Sequence, residues 1–398
     1  MRAAPAVLAV TLTVLSACTD HSSAPTSVII APSRNGVPFA EGLASPAWQA
    51  RTAALVAGAS VSPVATAHDY GLLGVAQYRA VQLADAAAGN DGRSQLEAER
   101  GAVAGASAVV LEYVFPAATQ TLEDLVTEQS NAGPGQPHPW FVRGVEIGRA
   151  AGADIVTRAR SDGFNAPFTG TIPTGPGLWL SNTTPPTIAG GPVATATPWF
   201  LTSPSQFRPA APPAFGSAEF NAGLAEIRQI SDTRTADQTR IAALWAPAGP
   251  GFWVQVATDA INQNGLSERE ATHVYALVSA TIYDAVIGCW DAKETYWFIR
   301  PWQADPGITV VAAVGKPNHP SYPSGHSCIS SSGAEVIATF FPEQRAQLEA
   351  MVTEAGLSRM YGGIHFRFDI ESGQALGRNV ARFAIAQDAS GNSVLTPH

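Results

Sequence analysis

The sequence predicts an all-α fold of two related helical bundles, and three observations carry that expectation. Apolar residues recur at helical spacing through most of the chain, strand-like alternation is scarce, and the second half repeats the first in order. At 398 residues the chain can bury one large core or two packed bundles.

The N-terminus carries Arg2, an apolar run over residues 3–15 and then Leu15-Ser16-Ala17-Cys18, the pattern of an export leader. It resembles a bacterial lipobox, so residues 1–18 are expected to be a lipoprotein-type signal with Cys18 the lipidated residue. Residues 19–45 would form a polar tether. This predicts an exported, membrane-anchored protein whose only membrane contact is that lipid. No later segment approaches the roughly 20 apolar residues of a membrane span.

Helical spacing is predicted over 46–65, 70–88, 95–115, 119–128 and 145–160, giving an N-terminal bundle at 46–164. Residues 165–216 turn to Pro, Gly, Thr and Trp, and Gly175-Pro176-Gly177, Pro185-Pro186 and Pro212-Pro213 prevent regular elements. Trp179, Trp199, Phe200, Phe207 and Phe215 argue that this loop is ordered, a lid or binding surface. Helical spacing resumes over 217–387 and predicts a C-terminal bundle at 217–390.

The two bundles read as an internal duplication. Residues 108–116 align without gaps on 334–342, and the match continues from Leu122, Glu123 and Val126 to Leu348, Glu349 and Val352. Upstream, His68, Tyr70 and Tyr78 fall on His273, Tyr275 and Tyr283; downstream, Gly148 and Gly152 fall on Gly373 and Gly377. The offset grows from 205 (68 to 273) to 226 (108 to 334), so the second copy carries 21 extra residues. The paired positions of His68 and His273 predict structural roles for both.

The charge balance is acidic, net −9 with no basic run, which argues against nucleic acid as a partner. Only two of 23 basic residues are lysine, Lys293 and Lys316. Lys316 is expected to be solvated, whereas Lys293 opens the extra interval, six residues before Arg300-Pro301. Next come Pro323-Ser324-Gly325-His326, then Ser358-Arg359 with His365 and Asp369.

A multiply charged tetrahedral oxyanion needs several cations and directed donors once desolvated. Arg300 and Arg359 offer planar forks and Lys293 a compact charge. Ser324 and Gly325 sit where a helix should begin, placing a hydroxyl and free backbone N–H groups toward an anion. His365 and Asp369, four apart, would share a helical face, with the carboxylate setting the imidazole tautomer. His326 would remain as the free acid/base. Cys289 and Cys328 are either a disulfide or two buried thiols.

Together the three segments resemble the signature shared by vanadium-dependent haloperoxidases and type 2 phosphatidic acid phosphatases: lysine-x6-Arg-Pro, Pro-Ser-Gly-His and Ser-Arg-x5-His-x3-Asp. The resemblance implies paired helical bundles of which the C-terminal one is active. In the first copy Arg100 stands where the alignment places His326, and Trp140 about where it places His365. In the haloperoxidase reading vanadate is the cofactor, with His365 as vanadium ligand, and the reactants are hydrogen peroxide and halide. In the phosphatase reading no cofactor is needed: His365 attacks a phosphate ester to give a phosphohistidine and His326 protonates the leaving alcohol. A non-catalytic oxyanion-binding lipoprotein is the third reading. The duplicated length, the connecting loop and the lack of membrane spans favour the soluble bacterial haloperoxidase-like branch, and His319 occupies the place of a second histidine in bromide-oxidising members. Halide preference, organic acceptor and oligomeric state have no signal in the sequence.

Overall fold

A computed structural model describes residues 42–88, 92–131, 138–391 and 393–397. The expected leader, the lipobox Cys18 and all but the last residues of the tether lie outside them. Regular structure among the described residues is helical, and the one extended pairing is an isolated bridge between Leu178 and Phe298.

The first half contains α1 (Ala44–Gly58), α2 (Pro63–Ala88), α3 (Gly92–Val114), α4 (Thr119–Ser130) and α5 (Pro139–Ala159). The segment predicted as one helix over 46–65 breaks instead at Ser60, whose φ of 51° turns the chain before Pro63 opens α2. Past the connecting loop come α6 (Ala218–Thr233), α7 (Ala236–Trp245), α8 (Pro250–Asn264), α9 (Glu268–Tyr296), α10 (Pro301–Ala304), α11 (Gly325–Phe340), α12 (Arg345–Tyr361) and α13 (Arg367–Ala389). A capping box starts α9: the Ser267 hydroxyl accepts from the Glu270 N–H while the Glu270 carboxylate accepts from the Ser267 N–H.

The expectation of helix throughout 217–387 fails between α10 and α11. Pro306, Pro317, Pro320 and Pro323 remove backbone donors there, and residues 305–324 run as an irregular loop. Much of the site lies on that loop.

The helix order runs twice, α1 to α5 and then α8, α9, α11, α12 and α13, and the turns Pro116–Ala118 and Pro342–Gln344 stand at the offset of the sequence match. The halves do not form separate cores. One apolar cluster runs from Trp48 to Leu395, with α2 packed along α9. Two histidine clusters are reciprocal across that contact. His68 bonds Asp162 at 2.8 Å and meets Tyr283 of the other half edge-on at 5.2 Å; His273 bonds Asp388 at 2.7 Å and stacks on Tyr78 of the first half at 4.7 Å. Each takes its tyrosine from the opposite half. Each histidine is thus held between a carboxylate and an aromatic ring.

Glycines set the closest helix contacts. A Cβ on Gly373 would lie 2.7 Å from the Ser324 carbonyl oxygen, and one on Gly377 2.4 Å from that of Cys328, so α13 lies backbone to backbone against the start of α11.

The connecting loop is held by polar groups rather than by regular structure. Buried Asp284 of α9 accepts the N–H groups of Trp199, Phe200 and Leu201 at 2.7, 2.7 and 3.0 Å. Gln303 bonds both backbone groups of Leu180, while Asn318 accepts from the Asn182 N–H and donates to the Thr187 carbonyl. The loop is thereby tied to residues 303–318, the approach to the site.

Candidate active site

Five helix ends and one loop converge on the C-terminal site. Lys293 occupies the last turn of α9, Arg300 precedes α10, and His319 lies in the irregular loop. Ser324 caps α11, whose first residues are Gly325 and His326. Arg359 ends α12, and His365 and Asp369 flank the start of α13. Arg300, Lys293, His365 and Asp369 are all buried, with 0%, 0%, 2% and 0% exposure. Such burial of unlike charges is tolerated only where donors and acceptors are paired.

The tautomer of His365 follows from its neighbours. Its Nδ1 lies 2.8 Å from the Asp369 carboxylate and its Nε2 3.0 Å from Arg300 Nη1. A guanidinium can only donate, so Nε2 carries the lone pair and Nδ1 the proton. Asp369 is fixed in turn by the Ser321 hydroxyl at 2.6 Å and the Phe366 N–H at 3.1 Å. Burial pushes the Asp369 carboxyl up to about 6 and, with the charges of Arg300 and Lys293 next, holds His365 well below the ordinary histidine value. The result is a neutral imidazole with its lone pair at Nε2.

Arg300 is a scaffold cation. Besides His365 it donates to the Ile364 carbonyl at 2.8 Å, and to the His319 carbonyl and His319 Nδ1 at 3.0 and 3.1 Å. Lys293, expected as a direct donor to the anion, has its three ammonium protons on the carbonyls of Pro320, Ser321 and Pro323 at 2.7, 3.0 and 2.6 Å. It pins the loop that leads into Ser324, and burial lowers it to about 8.

Arg359 is different. It is 3% exposed, yet its Nε and Nη1 have no hydrogen-bond partner, and burial lowers it to about 10. Three buried cations stand against the single carboxylate of Asp369, which leaves two positive charges to be balanced. A doubly charged oxyanion matches that excess, and Arg359 has the donors for it. At the start of the 16-residue helix α11 the Ser324 hydroxyl accepts from the Ser327 N–H at 3.4 Å and keeps its own proton for donation.

His326, expected as a free acid/base, has Nε2 3.1 Å from the Trp245 carbonyl. A carbonyl only accepts, so Nε2 bears the proton of the neutral ring, and the Ala246 backbone bonds the ring as well. Burial and then the charge of Arg359 hold His326 well below the ordinary value. His319 stands beside Arg300 with its ring 5.1 Å from that of Trp290. Cys289 and Cys328 are buried free thiols, which decides the alternative left open by the sequence. Lys316 is exposed.

Three contributors escaped the sequence reading. Trp245 acts through a backbone carbonyl and so has no side-chain signature. Ser321 lies just outside the Pro-Ser-Gly-His motif. Trp290 walls the site, 3.6 Å from where a Cβ on Gly325 would lie, and its place one helical turn before Lys293 was the available signal.

This geometry defines, among the described residues, a helical fold with a buried, histidine-containing cluster of cations. Residues 271–390 match the PAP2 superfamily. Over 179 residues, 44% of this chain and 70% of the relative, the sequence is 28% identical to a non-specific acid phosphatase of Providencia stuartii. Among solved structures, that of the first bacterial vanadium-dependent iodoperoxidase superposes with a TM-score of 0.72 at 20% identity, covering 89% of this chain and 98% of that one. An apo-type bacterial vanadium-dependent chloroperoxidase gives 0.68 at 15% identity, covering 83% and 95%. The segment that carries the site thus matches the PAP2 superfamily, and the fold of the chain is similar to that of the bacterial vanadium haloperoxidase structures.

Proposed function

We propose that this protein is a vanadate-dependent haloperoxidase that oxidises halide with hydrogen peroxide. The observation that carries the reading is His326, beside the Arg359 charge, with its Nε2 proton on the Trp245 carbonyl and burial holding the ring neutral. Peroxide must lose a proton to become a nucleophile, which a neutral imidazole can accept. The whole-chain likeness to haloperoxidase structures supports the same reading, since the phosphatase relative matches only 44% of the chain.

The residues fit vanadate on their own chemistry. Arg359 has unpartnered buried donors and the cradle has two positive charges in excess, while the His365 Nε2 lone pair, which here accepts from Arg300, would turn to the anion. Bound vanadate would supply the Lewis acidity that activates peroxide. Arg359, the Ser324 hydroxyl and the α11 N-terminus would hold the anion; Asp369 would keep the His365 proton on Nδ1; Lys293 and Arg300 would keep the cradle in shape. His326 would take the peroxide proton.

Phosphate-ester hydrolysis is the second reading, favoured by the acid phosphatase relative and by a His365 Nε2 lone pair suited to attack on phosphorus. Protein purified without phosphate should be titrated with vanadate and assayed for halogenation with peroxide and bromide, beside hydrolysis of a generic phosphate ester. Vanadate-dependent halogenation is the expected result. Ester hydrolysis inhibited by vanadate, without halogenation, would overturn it.

A further inference from the structure

His326 is oriented by a helix outside the three segments that supply the cradle. α7 lies against α12, and its last residue, Trp245, is 4% exposed. The two polar groups of Trp245 serve different elements. Its backbone carbonyl, one of those a helix leaves without an intrahelical partner, accepts the Ala248 N–H and the His326 Nε2 proton, both at 3.1 Å. Its indole Nε1 donates to the Glu354 carboxylate of α12 at 2.7 Å, and that indole is the carboxylate's one hydrogen-bond partner among the described residues. Phe252 meets the indole ring edge-on at 5.2 Å.

We propose that Glu354 is a positioning residue for His326: by fixing the Trp245 indole, it sets where the end of α7 presents the carbonyl that orients the imidazole. A tryptophan has only two torsions between its indole and its backbone, so an indole held at Nε1 and packed by Phe252 leaves the carbonyl of the same residue little freedom. A hydrogen bond to a carboxylate is stronger than one between neutral groups, which suits an anchor that is only half-buried. Glu354 and Arg359 also share α12. One helix thus carries both the cation with unpaired donors and the anchor of the acid/base, and so fixes the two relative to each other. Loss of the anchor would leave Arg359, Ser324 and His365 in place while His326 turns, so proton transfer would slow and the oxyanion would still bind.

The inference rests on the acid/base role proposed for His326, and the test separates the two. Glu354→Ala in the full-length protein should lower kcat for halogenation by about 10- to 100-fold, with the vanadate dissociation constant, read by calorimetry, unchanged. Glu354→Gln, whose amide oxygen can accept the indole proton, should recover most of the loss. Trp245→Phe removes the indole donor and keeps the backbone carbonyl, so the double variant with Glu354→Ala should be no slower than the slower single one. In protein free of vanadate, the nitrogen-15 signals of His326 should show one tautomer, protonated at Nε2, in wild type and Glu354→Gln, and a mixture in Glu354→Ala. Full kcat in Glu354→Ala, losses that multiply in the double variant, vanadate affinity falling as far as kcat, or a single unchanged tautomer in all three proteins would overturn the proposal. Wild type that does not halogenate would refute the proposed reaction, whereas the tautomer comparison, made without vanadate or peroxide, decides the role of Glu354 by itself.

Discussion

Arg359→Met should make the protein more stable and unable to bind its anion. The side chain is 3% exposed, two of its donors have no partner, and burial alone lowers its pKa from 12.5 to about 10. That shift means the charged form is disfavoured in the folded state, a cost present at every pH below about 10. At 1.36 kcal/mol per unit the cost is about 3 kcal/mol. Methionine keeps most of the aliphatic packing without the charge. In buffer free of phosphate and vanadate the variant should therefore gain up to about 3 kcal/mol in chemical denaturation. Adding vanadate or phosphate should reverse the ranking. At an oxyanion concentration of about 100 times Kd the wild type gains roughly 2.7 kcal/mol, while the variant should not respond. Calorimetry with and without oxyanion, at matched ionic strength, measures both effects. A variant less stable than wild type without oxyanion, yet stabilised by vanadate to the same degree, would refute the account of Arg359 as the site's uncompensated cation.

His365→Ala and His326→Ala should each abolish turnover, and activity surviving both substitutions would remove the site assignment. Gly373→Ala places a methyl 2.7 Å from the Ser324 carbonyl oxygen, so it should cost about 1–3 kcal/mol and lower oxyanion affinity together, read by denaturation and by vanadate titration. Asp284→Ala leaves three buried N–H groups of the connecting loop without an acceptor and should cost about 3–5 kcal/mol, seen as a lower denaturation midpoint. The Asp369 carboxyl is raised to about 6, so its contribution to folding is complete below about pH 4 and lost as pH rises through 6. The stability of wild type relative to Asp369→Asn should then fall by about 3 kcal/mol between pH 4 and pH 7 in oxyanion-free buffer. A pH-independent difference would mean that burial does not act on this carboxyl as described.

The sequence by itself determined the helical class and pointed to the residues that the fold brings together in the second half. Those properties are local or nearly so. Apolar spacing belongs to each helix, Ser267 and Glu270 cap their own helix, and the cradle residues stand in three short segments of the second half. The partners of those residues were decided only by the tertiary structure. Arg300 and Lys293 have the charge of anion ligands, but their donors are occupied by His319, His365 and the carbonyls of residues 320, 321, 323 and 364, and a carbonyl is the same group in every residue. His326 loses its freedom to one such carbonyl, at Trp245. The break over 305–324, the shared core and the reciprocal exchange of Tyr78 and Tyr283 likewise depend on which surfaces meet. The residue types point to an anion; three-dimensional contact decided that Arg359, unlike Arg300 and Lys293, keeps two buried donors unpaired.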